Sequence, residues 1–375
     1  MRILVYMGHP AHFYNYKNVI LNLREDGHKV EILIKKKDVL QSLLDNAGFS
    51  YHNILREGRG DTRMGIIWGT IKRAWRLNAF CSRFHPDILT GTSVENSWIG
   101  KLRHIPVINI NEDDASVVSC YARFSYPWAS VILSPRVCNN GKWENKTVKY
   151  SGYHELAYLH PDHFMPDRSI VEKYFSLDSP FFLIRVVRLK AFHDAGKKGI
   201  GPDILQRIID TIKPYGRVLI SSERELESQF RPYQVHIDPL DMHHILAFAS
   251  LFIGDSQTMA AEAGVLGTPF VRFNDFVGRL SYLDELENVY HLGTGHATSD
   301  VDGFFDSIHH WLDTPDRKTV CAERRKRMLA DKIDFARFLT WFLEEYPDSK
   351  RVMFDTPDFQ FRFRTGESTC CEGRD

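Results

Sequence analysis

Between Leu251 and Phe273 the chain reads LFIGDSQTMAAEAGVLGTPFVRF. This is an apolar strand, a polar turn, a short helix, a Gly-Thr-Pro stop and a second strand. Asp255, Ser256, Gln257, Thr258 and Met259 occupy the turn and the first helical residues. Backbone N–H groups there lack partners within the helix, and with the Ser256 and Thr258 hydroxyls they can surround a phosphate. Glu262 follows Thr258 at i, i+4 and shares its face. A carboxylate at that position can accept hydrogen bonds from both hydroxyls of a ribose. Phosphate and ribose recognition side by side point to a nucleotide, and in particular to a nucleotide-sugar. The simpler reading makes Asp255 and Ser256 plain helix caps and Glu262 a solvated side chain. Ligand binding is preferred because the turn follows a buried strand at its carboxyl end, where open parallel sheets hold ligands.

Other groups can serve the same site. Arg185 interrupts the apolar run FFLIRVV and is expensive to bury alone. It is expected either to reach diphosphate or to pair with an acid such as Asp255 or Glu223. The loop LKAFHDAGKKGIG places His193 and Lys197 among glycines, which allow close backbone approach to phosphate. Ser221, Ser222 and Glu223 end the strand that begins at Arg217 and complete the candidate nucleotide-sugar residues. In the first half, GHPAHFYN sets His9 and His12 on the turn after strand one. INEDDAS sets Glu112, Asp113 and Asp114 at another strand end. A histidine or one of these acids is a candidate general base toward an acceptor hydroxyl; turn capping is the competing role for each. His154, in SGYHELAYLHP, either contacts the donor or braces the domains. No HExxH motif or cysteine cluster appears, and no metal or other cofactor is expected.

Stepping to the elements that carry these groups, short apolar strands alternate with helices throughout both halves. That pattern implies an α/β chain with parallel, doubly wound sheets. Strands are expected at Ile3–Met7, Val30–Ile34, Tyr51–Leu55, Asp87–Thr90 and Val107–Ile110. A fresh series starts at Phe181 and continues through Arg217–Ser221 and Leu251–Gly254. Two Rossmann-like domains facing each other across a cleft follow: residues 1–155 for the acceptor, a linker over 156–180, and 181–346 for the donor with its closing helices. The tail 347–375 shows no helical period and is expected to be partly loose.

The 375 residues suffice for two cores, and the formal net charge is zero, so bulk charge argues neither for nucleic acid nor for an acidic partner, and no nucleic-acid partner is expected. Six scattered cysteines suit a reducing compartment. MRILVYMGHP lacks the pattern of a signal peptide, and no apolar run reaches the roughly 18–20 residues of a membrane span. A cytoplasmic location is expected, with peripheral contact at the inner face of a membrane as an option. That option rests on Met64 to Phe80, where Met64, Ile67, Trp68, Ile71 and Trp75 form one apolar face beside basic residues. Core packing is the preferred explanation of the stripe.

GDSQTMAAEAGVLGTP resembles the donor-nucleotide motif of GT-B glycosyltransferases and of non-hydrolysing nucleotide-sugar 2-epimerases. More closely, the chain from Met1 to about Tyr346 resembles the DUF354 family of GT-B-like proteins. The matching segments include HPAHFYNYKNVI, INEDDASVV, SYPWASVILSP, SGYHELAYLHP and HIDPLDMHHILAFAS. The resemblance implies a GT-B-like fold, Glu262 as the ribose binder, and sugar transfer from a nucleotide-sugar, UDP-linked by expectation, to a polysaccharide or lipid-linked acceptor. Two alternatives stand beside it: a nucleotide-sugar 2-epimerase, and a non-catalytic binder or scaffold in polysaccharide assembly. The epimerases typically carry Asp-Ser-Gly-Gly and then two glutamates. Here Gln257-Thr258 replaces the glycines and Ala261-Glu262 the two acids, which weakens the epimerase reading.

Overall fold

Strands of four to seven residues, the central ones buried along almost their whole length, form two separate parallel sheets. Burial on both faces is what near-continuous Val, Ile and Leu runs require. The computed structural model describes residues 1–35, 38–55, 63–187 and 199–364. The chain divides into two compact units, one of residues 1–158 with 332 onward and one of residues 159–331.

The first unit contains β1 (Arg2–Met7), α1 (Pro10–Glu25), β2 (Lys29–Lys35), α2 (Asp38–Asn46), β3 (His52–Leu55) and α3 (Arg63–Phe84). It continues with β4 (Ile88–Gly91), α4 (Val94–Arg103), β5 (Val107–Ile110), α5 (Ser119–Ser125), β6 (Val131–Pro135) and β7 (Thr147–Tyr150). The seven-stranded sheet has the order β3-β2-β1-β4-β5-β6-β7, parallel throughout. The chain travels outward from β1 to β3 and then returns past β1 to β4. Right-handed crossovers therefore put α1 and α2 on one face and α3, α4 and α5 on the other.

The second unit contains α6 (Arg168–Glu172), β8 (Phe181–Val186), α7 (Pro202–Ile212), β9 (Arg217–Ser222), α8 (Met242–Phe248) and β10 (Leu251–Gly254). It ends with α9 (Gln257–Leu266), β11 (Phe270–Phe273), α10 (Ser281–Asn288), β12 (Gly293–His296), α11 (Val301–Asp313) and α12 (Arg317–Asp331). Its five-stranded parallel sheet runs β12-β11-β10-β8-β9. Gly267 ends α9 in the left-handed conformation, and Thr268 then returns its N–H to Ala263 O. The Gly-Thr-Pro stop thus works as a helix C-cap before β11.

The partition differs from the sequence-based one at two places. Residues 159–180 belong to the second unit instead of forming a separate linker. Residues from 332 onward return to the first unit, where α13 (Phe335–Glu344) packs on α1. Phe335 stacks on Tyr150 with ring centroids 4.4 Å apart, and Phe338, Leu339, Phe342 and Leu343 are buried. The following stretch is ordered as α14 (Asp348–Asp355) and a 3-10 turn, Pro357–Phe363. Phe359 and Phe363 lie against Trp341, and Gln360 accepts a hydrogen bond from Ser151 N. These anchors are aromatic contacts between distant residues, so no local period announces them.

The stripe on α3 is also corrected. Trp68, Ile71 and Trp75 are exposed, and the packed face is Leu77 and Cys81 with Arg73. Arg73 is buried and donates from Nε to Glu95 Oε1 at 2.5 Å. A buried guanidinium must keep its carboxylate, and this pair together with Leu77 orients the helix. Trp68, Ile71 and Trp75 are left outside, and the side chains of Met64 and Ile67 lie outside the described ones.

Candidate functional site

In the second unit the chain leaves β8 for β9, then recrosses β8 to form β10. Strand order reverses between β8 and β10, and a crevice opens outside the carboxyl ends of strands at such a point. Gly254 ends β10 here, and a Cβ on it would stand 2.9 Å from the Arg185 carbonyl oxygen. Only glycine lets the two strand ends come this close.

Asp255 is buried next to Gly254. Its Oδ1 accepts from Val187 N at 2.8 Å and its Oδ2 from Ile200 N at 3.1 Å. Burial pushes its carboxyl up to about 6, against the pull of these two N–H groups. Asp255 thus holds Val187 and Ile200, which flank the sequence segment that contains His193 and Lys197. Those two candidates lie outside the described residues. Asn274, which motif reading does not single out, donates from Nδ2 to Asp255 O at 3.2 Å and braces the turn from β11.

Ser256 is the N-cap of α9, its hydroxyl accepting from Met259 N at 3.3 Å. The N–H groups of Gln257 and Thr258 stand in the first turn, with no acceptor inside the helix. Both side chains are partly exposed, whereas Met259 is buried. Glu262 is buried one turn further, 3.0 Å through Oε1 from His243 Nε2 on α8. This buried partner was not legible as such. His243 stands in an adjacent histidine pair whose rings diverge. His244 turns away to accept from Asp167 N at 2.9 Å.

Arg185, Ser221 and Glu223 come together as expected from the cost of burying Arg185. The guanidinium donates to Ser221 Oγ at 2.6 Å and to Glu223 Oε1 at 2.5 Å. Its Nε–H is buried with no acceptor among the described residues. Ser222 is turned the other way, donating to Arg224 O at 2.7 Å.

In the first unit the corresponding reversal lies between β1 and β4. His9 caps α1, its Nδ1 accepting from Ala11 N at 3.3 Å. His12 Nδ1 accepts from Gly8 N at 3.1 Å. Both rings therefore close the turn after β1. Beyond β5, Glu112 binds His154 twice: Oε2 accepts from the His154 backbone N at 3.2 Å, and Oε1 is 3.4 Å from Nδ1. Asn15 Nδ2 is 3.3 Å from the same Nδ1. His154 Nε2 is buried without a hydrogen-bond partner among the described residues. Asp114 is buried and accepts from Asn139 N at 2.7 Å.

Asp113 stands apart from these bracing roles. Burial, then the charge of Glu112 and, more weakly, Asp114, push its carboxyl up to about 7, against the opposing influence of His154. A carboxyl that titrates near neutrality can both take and return a proton. Asn111, which the sequence does not mark as functional, ties this turn down by donating to Asp113 O at 3.1 Å and to Tyr126 Oη at 2.9 Å.

Comparison with solved structures finds this architecture repeatedly. The UDP-GlcNAc 2-epimerase of Neisseria meningitidis, solved with UDP-GlcNAc, superposes with a TM-score of 0.65 at 15% identity, over 92% of this chain and 100% of that one. The S. aureus MnaA–UDP structure gives 0.65 at 13% identity, over 93% and 97% of the two chains. Spinosyn rhamnosyltransferase SpnG with spinosyn aglycone gives 0.60 at 17% identity, over 92% and 100%. At these identities the likeness establishes the fold, which is GT-B-like with two Rossmann-like domains. None of the curated proteins matches the chain in sequence. A family model described as "Protein of unknown function (DUF354)" matches residues 1–332. With that match over most of its length, and with the GT-B-like fold beneath it, the chain belongs to the DUF354 family.

Proposed function

We propose that the protein binds a nucleoside diphosphate sugar, with UDP as the nucleotide, in the crevice of the second unit. It then transfers the sugar to a polysaccharide or lipid-linked acceptor. One observation carries the reading. α9 opens, with its Gln257 and Thr258 N–H groups, three residues beyond Gly254, whose register partner on β8 is Arg185, and the Arg185 Nε–H has no acceptor among the described residues. These donors suit a diphosphate, and the positive end of the helix dipole favours the charge that develops as the diphosphate leaves. Glu262, oriented by His243, takes the ribose hydroxyls. Asp113 is the group that accepts the acceptor's proton, and Glu112 and His154 position it. Solved proteins of the same fold hold UDP-GlcNAc or UDP, which favours uridine as the base.

Epimerisation at the sugar's C2 is a second reading, and Asp113 favours it too. A half-buried carboxyl near neutrality can withdraw a proton from carbon as well as from a hydroxyl. Titration calorimetry with UDP, dTDP, GDP, ADP and CMP against wild type and Glu262→Gln tests the shared part. One nucleotide should bind selectively and more weakly to the variant; no binding by any of the five would remove the reading. NMR of one pure UDP-sugar with the protein then separates the reactions. Interconversion without acceptor means epimerase, and UDP release only with acceptor means transferase. Binding with neither outcome would identify a non-catalytic binder.

A further inference from the structure

The helical layer formed by α3, α4 and α5 has an unusual outer surface. Thirteen large hydrophobic residues are exposed among the described residues, and six of them belong to this layer and the 3-10 turn Tyr126–Trp128 that continues it. They are Trp68 (65% exposed), Ile71 (49%), Trp75 (69%), Leu102 (66%), Phe124 (49%) and Trp128 (46%). On α3 the first three recur at i, i+3 and i+7, a single face. The layer is continuous: α3 packs on α4, and α4 on α5 and the turn. Trp98 Nε1 also donates to Phe124 O across that seam. Exposed apolar groups scattered singly need no explanation, but grouped ones mark an interaction surface.

Charge identifies the occupant. The three helices carry eight lysines and arginines and one acid, Glu95, in a chain whose formal net charge is zero. That acid is buried and paired with Arg73. Lys101 and Arg123 are exposed. A second copy docked by a two-fold axis would place like charges against like. A bilayer with anionic headgroups meets both demands, since tryptophan settles at the headgroup level and basic residues meet the phosphates.

We infer that the outer face of α3, α4 and α5 is a peripheral docking surface for anionic phospholipid bilayers, with Trp68 and Trp75 as the inserted side chains and Lys101 and Arg123 among the headgroup contacts. The inference is independent of the nucleotide reading, which rests on the other unit.

Flotation of the full chain with vesicles of phosphatidylcholine and phosphatidylglycerol, against vesicles of phosphatidylcholine alone, tests it. The protein should float with the anionic vesicles, lose that binding as salt is raised, and show blue-shifted tryptophan fluorescence when bound. Trp68→Gln with Trp75→Gln should lower the partition coefficient roughly tenfold or more. Lys101→Gln with Arg123→Gln should lower it roughly thirtyfold. All four sites are exposed, so an unchanged thermal midpoint is expected and certifies the fold. The inference is overturned by no flotation with either vesicle at low salt, by equal flotation with both, or by wild-type flotation of the folded tryptophan variant. Sedimentation that shows a dimer dispersed by the tryptophan changes would assign the face to a second copy and overturn it as well.

Discussion

The turn beyond β5 and the turn beyond β10 lie at carboxyl ends of parallel strands in two sheets of the same design, yet their chemistry is opposite. Beyond β5 three acids follow one another, Glu112 to Asp114, with a histidine bound to the first. A diphosphate would be repelled there, while burial and, after it, the crowding of like charge bring the Asp113 carboxyl toward neutrality. Beyond β10 the only acid in the turn is Asp255, and both of its oxygens already accept backbone N–H groups. The partly exposed residues that follow are Ser256, Gln257 and Thr258, at the open end of α9. One scaffold position thus carries clustered acids in one unit and an open helix end in the other, which the proposed function reads as a proton-transfer centre and an anion-binding centre.

Replacing Asp113 by Asn probes this contrast most strongly. If Asp113 transfers the proton, turnover falls by roughly 100-fold or more, measured as UDP release or sugar interconversion. Stability should move the other way. The folded carboxyl is raised from 3.8 to about 7, so folding favours its protonated form. The wild type therefore carries a penalty at pH 8 that fades as the pH falls from 7 toward 4. Asp113→Asn should be more stable than wild type by on the order of 2 kcal/mol at pH 8, and by much less at pH 4, in denaturant titrations. Equal stability at both pH values would break the electrostatic account of this turn.

Glu262→Gln comes next. Loss of a charge-assisted hydrogen bond costs about 1.5–3 kcal/mol, or roughly 10- to 150-fold in nucleotide affinity by calorimetry. Asp113→Asn should leave that affinity within about twofold, which separates binding from proton transfer. Asp255→Asn retains one acceptor oxygen and loses the other. It should lower unfolding free energy by about 1–3 kcal/mol, with nucleotide affinity falling through the loosened loop end. Ser256→Ala removes only a helix cap and should cost about 1 kcal/mol of stability, read from the thermal midpoint. An effect on binding much larger than on stability would show that Ser256 itself touches the ligand.

The failures of sequence reading fall where distant residues meet. GDSQTMAAEAG announces its strand, cap and helix because capping and periodicity are local. The partner of Glu262 is not announced, because His243 lies nineteen residues back on another helix and nothing in HH sets one ring apart from the other. The α3 stripe shows the limit of periodicity. A moment identifies an apolar face without saying which way it turns, and here the buried Arg73–Glu95 pair orients the helix against it. The C-terminal segment is similar: Gln360 and Phe363 find partners more than 200 and about 20 residues away, so its order leaves no trace in any short window.

By itself, then, the chain's sequence determined the alternation of strand and helix and the polar turn at the end of the run Leu251–Gly254, because each depends on contacts within a few residues. Tertiary structure alone decided which acid titrates near neutrality, which carboxylate braces a loop, where residues 332–364 belong and which helix face meets solvent. Those outcomes depend on burial and on charge partners brought together across the chain, and no spacing in the sequence encodes them.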